Sequence, residues 1–353
     1  MNCIPQNKLQ GAESILIKKG YQMKKLFLCF LCAISALTAL SGENLAQLHF
    51  THKITAKDSI NYISTYKDSL YISTNSGEVE IYDLKTRKKK DLIKLPNIVD
   101  LWGESNAPRV FNTHTKDGKN LLIISQDTAD KSNLFIHSNG KGENSGLRKI
   151  DLGEKSGIIK NAFFVNEDEI LLSISSFEII RYNIARSEVV WSLKPKFLEA
   201  INEVFTDLRI NGDLAISTTE GGTIYLIDLA NGAVKRILKG ANFDYIYMLG
   251  VAKNVALTAG RDKICGIYDL QSGDFRRIKT EFIAYVVAIS SDSTRGAVSY
   301  NENGDILIFN AQTLAKIALL TGGNAPTSQV IFMDNGNILA IFGNNSVLFW
   351  NVK

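Results

Sequence analysis

A repeated segment of about forty-one residues constrains the fold of this chain most strongly. Each copy contains a short apolar run that ends in a large residue followed, in all but one degenerate copy, by Asp or Asn. The seven endings are Ile81-Tyr82-Asp83, Ile136-His137-Ser138 (the degenerate copy), Arg181-Tyr182-Asn183, Leu226-Ile227-Asp228, Ile267-Tyr268-Asp269, Ile308-Phe309-Asn310 and Phe349-Trp350-Asn351. Successive spacings are 55, 45, 45, 41, 41 and 41 residues, and three equal spacings in a row indicate a structural repeat.

Each copy also divides into four short strand-like segments separated by turn signals. In one copy the segments are Val204 to Ile210, Leu214 to Thr218, Thr223 to Asp228 and Val234 to Leu238, with Asn231-Gly232 at a hairpin tip. A turn residue lies six positions before the closing Asp or Asn in four copies, at Gly77, Gly222, Gly304 and Asn345. Beyond residue 41 the chain sustains no helical apolar period. Four antiparallel strands per copy and seven copies predict an all-β fold, a seven-bladed β-propeller.

The two ends of the chain are expected to complete one blade together. The last copy, Ser328 to Lys353, holds three strands, whereas an unassigned strand, Leu48 to Thr55, precedes the first copy. We therefore predict that Leu48 to Thr55 supplies the outer strand of the last blade, because this closes the ring and removes an unpaired strand edge.

The beginning of the chain is typical of an export signal. Lys24 and Lys25 precede fifteen uncharged, mostly apolar residues, Leu26 to Leu40, followed by a small or polar run. Fifteen helical residues span roughly 22 Å, less than the ~30 Å hydrocarbon core, so no stable membrane span is expected after cleavage. We predict a mis-started leader at 1–22 with Met23 as the true start, a signal peptide at 23–41 and one propeller domain at 42–353. The expected localisation is the periplasm.

Charge and cysteine content change once residues 1–41 are set aside. Five of the 40 basic residues and one of the 36 acidic residues lie there, so the remainder carries 35 of each sign. A neutral chain without clustered cations gives no indication of nucleic-acid binding. Three of the four cysteines also lie there, which leaves Cys265 without an intramolecular disulfide partner.

The residues that could carry chemistry fit structural roles better. Cys265 occupies a column whose other members are all aliphatic, so we expect a buried thiol. His49 and His52 lie three apart on a predicted strand and therefore on opposite faces. His137 falls in a column of large core residues, and His114 precedes a turn where it could be exposed. The sequence contains no motif for covalent haem, a nucleophile elbow or a phosphate loop, so we predict no catalytic, metal or cofactor residues. The Lys-rich stretch from Lys85 to Lys90 is expected to be a solvated hairpin tip.

The repeats resemble the WD-repeat family across essentially the whole chain after the signal. The resemblance is greatest from Leu257-Thr258-Ala259-Gly260-Arg261-Asp262-Lys263 to Ile267-Tyr268-Asp269-Leu270. The chain departs from the family in lacking its Gly-His dipeptide and in having Trp350 alone at the family's Trp position. The resemblance implies a WD40-like propeller without the family's buried network centred on His.

Aromatic residues in the connections between blades are the candidate binding residues. These connections emerge on one face of a propeller, and exposed aromatics favour interface hot spots. Trp102 lies in the enlarged loop Asn97 to Pro108, which accounts for most of the 55-residue spacing. The full set of candidates is Trp102, Phe197, Phe243, Tyr245, Phe282 and Tyr285. The alternative is that each ring folds back to cap the gap between blades; for Trp102 we favour docking.

Two classes of function follow from this sequence. The first is an exported, non-enzymatic scaffold, a monomer whose face binds another periplasmic protein. The chain also resembles the NapL family, WD-repeat accessory proteins encoded with the periplasmic nitrate reductase, which implies nitrate reductase components as partners, in maturation or in electron supply. The second class is a propeller enzyme or small-ligand binder, lactonase-like or binding haem or quinone, with its site in the central channel.

Overall fold

A computed structural model describes residues 45–100, 102–127, 131–139, 146–155, 157–175, 177–194 and 204–352. The predicted leader at 1–22 and signal peptide at 23–41 lie outside these residues. No helix of the described residues is long and apolar enough to cross a bilayer.

The described chain forms seven blades of antiparallel strands, as the repeat predicts. Blade 1 comprises Ile60–Tyr66, Ser69–Thr74, Glu78–Asp83 and Lys89–Lys94; blade 2 comprises Val110–His114, Asn120–Gln126, Ser132–Ser138 and Gly146–Ile150. Blade 3 comprises Ile159–Phe164, Glu169–Ile174, Glu178–Asn183 and Glu188–Leu193; blade 4 comprises Phe205–Asn211, Leu214–Thr219, Ile224–Asp228 and Val234–Leu238. Blade 5 comprises Ile246–Ala252, Val255–Gly260, Ile264–Asp269 and Phe275–Lys279; blade 6 comprises Val287–Ile289, Arg295–Ser299, Ile306–Asn310 and Lys316–Thr321. Blade 7 comprises Thr327–Phe332, Ile338–Phe342, Ser346–Trp350 and an outer strand, His52–Thr55, from the start of the domain.

Three further elements complete the described secondary structure. Ala46–His49 is an additional strand at the edge of blade 6, Ile98–Val99 pairs with Ser105–Asn106 in a small hairpin, and Gly153–Lys155 forms one turn of 3-10 helix. In an antiparallel blade the connections after the second and fourth strands emerge at one end, here called the upper face. The connections after the first and third strands form the lower face.

The apolar core lies between neighbouring blades, because strand alternation sends side chains to both sides of each sheet. The aliphatic column of the third strands is buried throughout its described members, and Cys265 is 0% exposed among them, as expected. The turn before the third strand contains a left-handed residue in six blades, with φ of 73° at Gly77, 77° at Gly222 and 79° at Gly304. Glycine is needed at Gly222, where an added Cβ would lie 2.7 Å from the carbonyl oxygen of Asn242.

The ring closes through the N-terminal segment, with one correction to the expectation. His52–Thr55 pairs antiparallel with the third strand of blade 7 and places Ile54 opposite Val347, so this half of the predicted strand completes the last blade. Leu48 and His49 do not continue it. They belong to Ala46–His49, which pairs in parallel with the outer strand of blade 6. The single strand that the sequence predicts is divided between His49 and His52, and the ring of Phe50 in this break packs edge-on against Trp350 at 6.3 Å.

Arginine side chains tie several neighbouring blades together. Each donates to a backbone carbonyl that follows the third strand of the next blade, where no strand partner satisfies it. The donor–acceptor pairs are Arg181 Nη1 to Leu229 O at 2.7 Å, Arg236 Nη1 to Gln271 O at 2.7 Å, Arg276 Nη2 to Ala311 O at 2.9 Å and Arg295 Nη1 to Val352 O at 3.0 Å. These bonds link blades 3 through 7 in sequence.

Candidate functional site

Large exposed apolar residues are distributed unequally between the two faces. Seven of them lie on or next to upper-face connections: Val99, Trp102, Phe111, Ile158, Phe177, Phe243 and Tyr285. The remainder lie on the outer strands or at Phe50, and none occurs in the described lower-face connections. Since exposed aromatic surface marks interaction sites, the upper face is the candidate docking face.

Trp102 is 85% exposed and lies at the end of the hairpin between blades 1 and 2. The carboxylate of Asp100 organises this end: it accepts hydrogen bonds from the backbone N–H groups of Trp102 and Glu104, both at 2.9 Å, and from the Asn106 amide at 3.0 Å. The indole therefore projects from an ordered turn and does not fold back under its blade. Its exposure leaves the docking prediction open, and the capping alternative does not apply to Trp102.

Phe243 is 72% exposed and lies in the connection between blades 4 and 5, which hydrogen bonds to blade 5 hold in place. The Asp262 carboxylate accepts hydrogen bonds from the Phe243 N–H at 2.9 Å and from the Asn242 side chain at 3.1 Å. Asn242 is buried and also accepts a hydrogen bond from the Thr258 hydroxyl. The Arg277 guanidinium lies 4.8 Å from the Phe243 ring centroid. In blade 5 a network centred on Asn242 thus supports the upper-face connection.

Four tilted rings contact one another in series across the junction of blades 5 and 6, and this series is here called the aromatic ladder. Its centroid separations are 4.8 Å for Tyr245–Tyr247, 5.0 Å for Tyr247–Tyr285 and 6.4 Å for Phe282–Tyr285. The ladder contains the predicted residues Tyr245, Phe282 and Tyr285 and joins them through Tyr247, which is not among the candidates expected from the sequence. Tyr245, Tyr247 and Phe282 are half-buried, so most of the ladder caps the junction, while Tyr285 remains 37% exposed. Burial, with Glu220 nearby, raises the pKa of Tyr245, so its hydroxyl stays protonated.

Two other exposed aromatics on this face were also missed. Phe177 is 39% exposed at the turn before the third strand of blade 3, and its φ of 64° is unusual for a bulky residue. Phe111 is 37% exposed at the start of the inner strand of blade 2. Its place in the turn between two strands is the one feature of the sequence that could have indicated that Phe177 is exposed. Phe197, predicted in the next connection, lies outside the described residues.

The histidines occupy positions that partly differ from the expectations. His49 and His52 lie on separate strands of blades 6 and 7, and not on opposite faces of one strand. His137 is half-buried between Leu121 and Leu147, and burial lowers its pKa. Within the described ranges, no group of three or more His, Cys, Asp or Glu side chains could hold a metal ion.

His114 is more enclosed than its position before a turn suggests. Its Nδ1 accepts a hydrogen bond from the Phe164 N–H at 3.3 Å, and its ring meets Phe163 edge-on at 5.0 Å. Burial, together with the positive charges of Arg209 and Lys116, lowers the pKa of His114 to about 4. The imidazole is therefore neutral at physiological pH and acts as a packing element between blades 2 and 3.

The remaining chemical candidates have the expected structural roles. Burial raises the pKa of the Cys265 thiol far above its ordinary value, which suppresses the reactive thiolate. The tip from Lys85 to Lys90 is largely exposed, and Asp83 accepts hydrogen bonds from the backbone N–H groups of Lys85 and Thr86.

The central channel carries one acidic residue on its described inner strands, Asp207. Its carboxylate is fully engaged: Oδ1 accepts from Arg209 Nη1 at 2.6 Å and Oδ2 from the Leu249 N–H at 2.8 Å. Gln329 similarly joins blades 7 and 1 through two 2.8 Å hydrogen bonds with the backbone of Ile63. A cavity of about 260 Å³ remains along the axis. These polar groups bind neighbouring blades together and do not form a converging pair of acids.

Comparison with known proteins identifies solved structures that have a similar fold. No family model and no curated protein matches the sequence. The β-propeller domain of Cps50 (Swd1) from Myceliophteria thermophila is similar with a TM-score of 0.68 at 15% identity, covering 86% of this chain and 99% of that one. The WD40 β-propeller domain of Doa1 is similar with a TM-score of 0.64 at 13% identity, covering 86% and 97%. The chain therefore has the fold of a WD40-like β-propeller.

Proposed function

We propose that this protein is an exported, non-enzymatic docking platform in the periplasm and that its upper face binds a protein partner. The concentration of exposed apolar residues on that face carries the proposal. Trp102 and Phe243 contribute most, because both rings project outward from connections that carboxylates hold in place. A large exposed ring on an ordered support loses little conformational entropy on binding, which favours a hot spot.

We further propose that the partner is a component of the periplasmic nitrate reductase system. The resemblance to the NapL family supports this step, together with the export signal expected at 23–41. Either maturation of the reductase or its electron supply is consistent with a rigid propeller. A propeller enzyme acting in the central channel has less support, because Asp207 is committed to holding blades 4 and 5 together.

Affinity purification from the native periplasm tests both steps. Tagged wild-type protein should recover a nitrate reductase component, and Trp102→Ala should reduce the affinity for it at least tenfold. Val234→Ser is the matched control: Val234 is a 39% exposed apolar residue on an outer strand, and its replacement should leave recovery unchanged. Equal loss in both variants would refute the docking face. Recovery of no respiratory component, combined with turnover of a small substrate, would refute the function.

A further inference from the structure

A groove of about 670 Å³ crosses the lower face where blades 1 and 7 meet. The turn Tyr66–Asp68 and the hairpin tip around Arg87 form its wall on blade 1, and the turn from Met333 to Asn337 with the segment Phe349–Asn351 forms its wall on blade 7. This volume lies within the range of small-molecule sites. The groove is on the opposite face from the proposed docking surface and has a different chemical character.

Two cations in the groove have no acidic partner among the residues that the structure describes. The Arg87 guanidinium lies 5.8 Å from the Phe349 ring centroid, and Lys67 Nζ lies 5.3 Å from that of Tyr66. Neighbouring Lys85 differs, because it forms an ion pair with Asp68 at 2.7 Å. Stacking on a ring holds each cation in place but leaves its capacity to bind an anion unused.

Arg87 provides a second observation. Its Nε is buried, and no acceptor within the described chain reaches it. A buried N–H group without an acceptor costs free energy, which makes an arginine in this state unusual in a folded protein. As the side chain stands, Nε is closed to a bound molecule, so an acceptor in the groove removes that cost only when the side chain rotates and its guanidinium forms a charge-assisted hydrogen bond to the acceptor.

We infer that this groove binds a small organic anion. Arg87 and Lys67 hold its carboxylate or phosphate group, and its apolar part lies against Phe332 and Met333. Among the acidic residues at the groove, Asp334 is the one that forms no described ion pair. The two unpaired cations therefore outnumber the unpaired acid, and this balance of charge favours binding of an anion. Because such a ligand touches both blades, it also stabilises the closed ring by mass action.

Calorimetric titration at low ionic strength with three probes tests the site. The probes are 3-phenylpropionate, phenyl phosphate and uncharged 3-phenylpropanol, which separate the carboxylate and phosphate sources from simple apolar binding. At least one anion should bind saturably and at least ten times more tightly than the alcohol, and it should raise the melting temperature. Arg87→Met should weaken anion binding about tenfold or more, and Asp334→Asn should strengthen it a few-fold.

Lys263→Met is the matched control. Lys263 also lies over an aromatic ring, 5.9 Å from the centroid of Phe282, but on the upper face, so its replacement should leave binding unchanged. Circular dichroism checks that each variant folds; if Arg87→Met does not, Lys67→Met and Asp334→Asn test the same charges at exposed positions. Equal affinity for the alcohol, unchanged anion affinity in the groove variants, or no saturable binding up to on the order of 10 mM would overturn the inference.

Discussion

Replacement of Ile54 by Ala tests the closure of the ring. Ile54 is 5% exposed and packs in one cluster with Leu339, Ile341 and Val347 of blade 7. Loss of a buried isoleucine to alanine costs about 2–5 kcal/mol, depending on how far the site collapses. Ile54 belongs to a strand of four residues at the outer edge, where relaxation is easier, so we expect a value of about 3 kcal/mol. That is a large fraction of the roughly 5–15 kcal/mol that stabilises a typical domain.

Urea unfolding of the chain that begins at Gly42, followed by tryptophan fluorescence, measures this loss. Lys53→Ala is the control, because Lys53 is exposed on the same strand, and it should change the unfolding free energy by less than about 0.5 kcal/mol. Deletion of residues 45–55 should lower stability further by leaving the edge of Ser346–Trp350 unpaired. Similar small effects of Ile54→Ala and Lys53→Ala, or an unchanged melting curve for the deletion, would show that the strand does not close the ring.

Three further predictions follow from buried polar groups. Because the pKa of His114 is lowered to about 4, the neutral imidazole contributes its full stabilisation above about pH 6.5. This contribution is lost as the pH falls toward 4, by at most roughly 3 kcal/mol. His114→Gln should flatten the pH dependence of the unfolding free energy in that window, and an unchanged slope would contradict the assignment. Asp207→Ala should lower the unfolding free energy in urea by about 3 kcal/mol, because it leaves Arg209 partly buried without its partner. Glu188→Ala removes an exposed ion pair with Arg186 and should lower it by less than about 0.5 kcal/mol. Similar costs for the two variants would refute the role of Asp207. Without residues 1–41, Cys265 should react with Ellman's reagent only after unfolding, and rapid reaction of the native protein would contradict its burial.

The repeat spacing was sufficient to predict the architecture, because each blade must bury both faces of its sheet against neighbours. It predicted the seven blades and the burial of Cys265. It could not predict where the first strand divides. Leu48 and Thr55 lie in one alternating segment, but its two halves pair with different blades, and Phe50 between them contacts Trp350 near the other end of the chain.

The candidate site was less accessible to sequence reasoning. The connections that carry Trp102 and Phe243 could be located from the repeat, and the exposure of both rings agrees with the docking prediction without testing it. Tyr247 could not be predicted, because an irregularity in the inner strand of blade 5, between Ile246 and Met248, interrupts the alternation of side chains between the two faces of the strand. The position of His114 before a turn suggested that its ring is exposed to solvent. The sequence did not reveal that Phe163 and Phe164 of the next blade contact this ring.

Photo-crosslinking from defined positions tests the central claim most directly. A benzophenone amino acid is placed at Trp102 or Phe243 on the upper face, or at Lys119, which is exposed on the lower face. After irradiation of intact periplasm, we expect both upper positions to crosslink one and the same partner protein, a nitrate reductase component, and Lys119 to crosslink none. Crosslinking of that partner from Lys119 alone, or no defined product from either upper position, would contradict it.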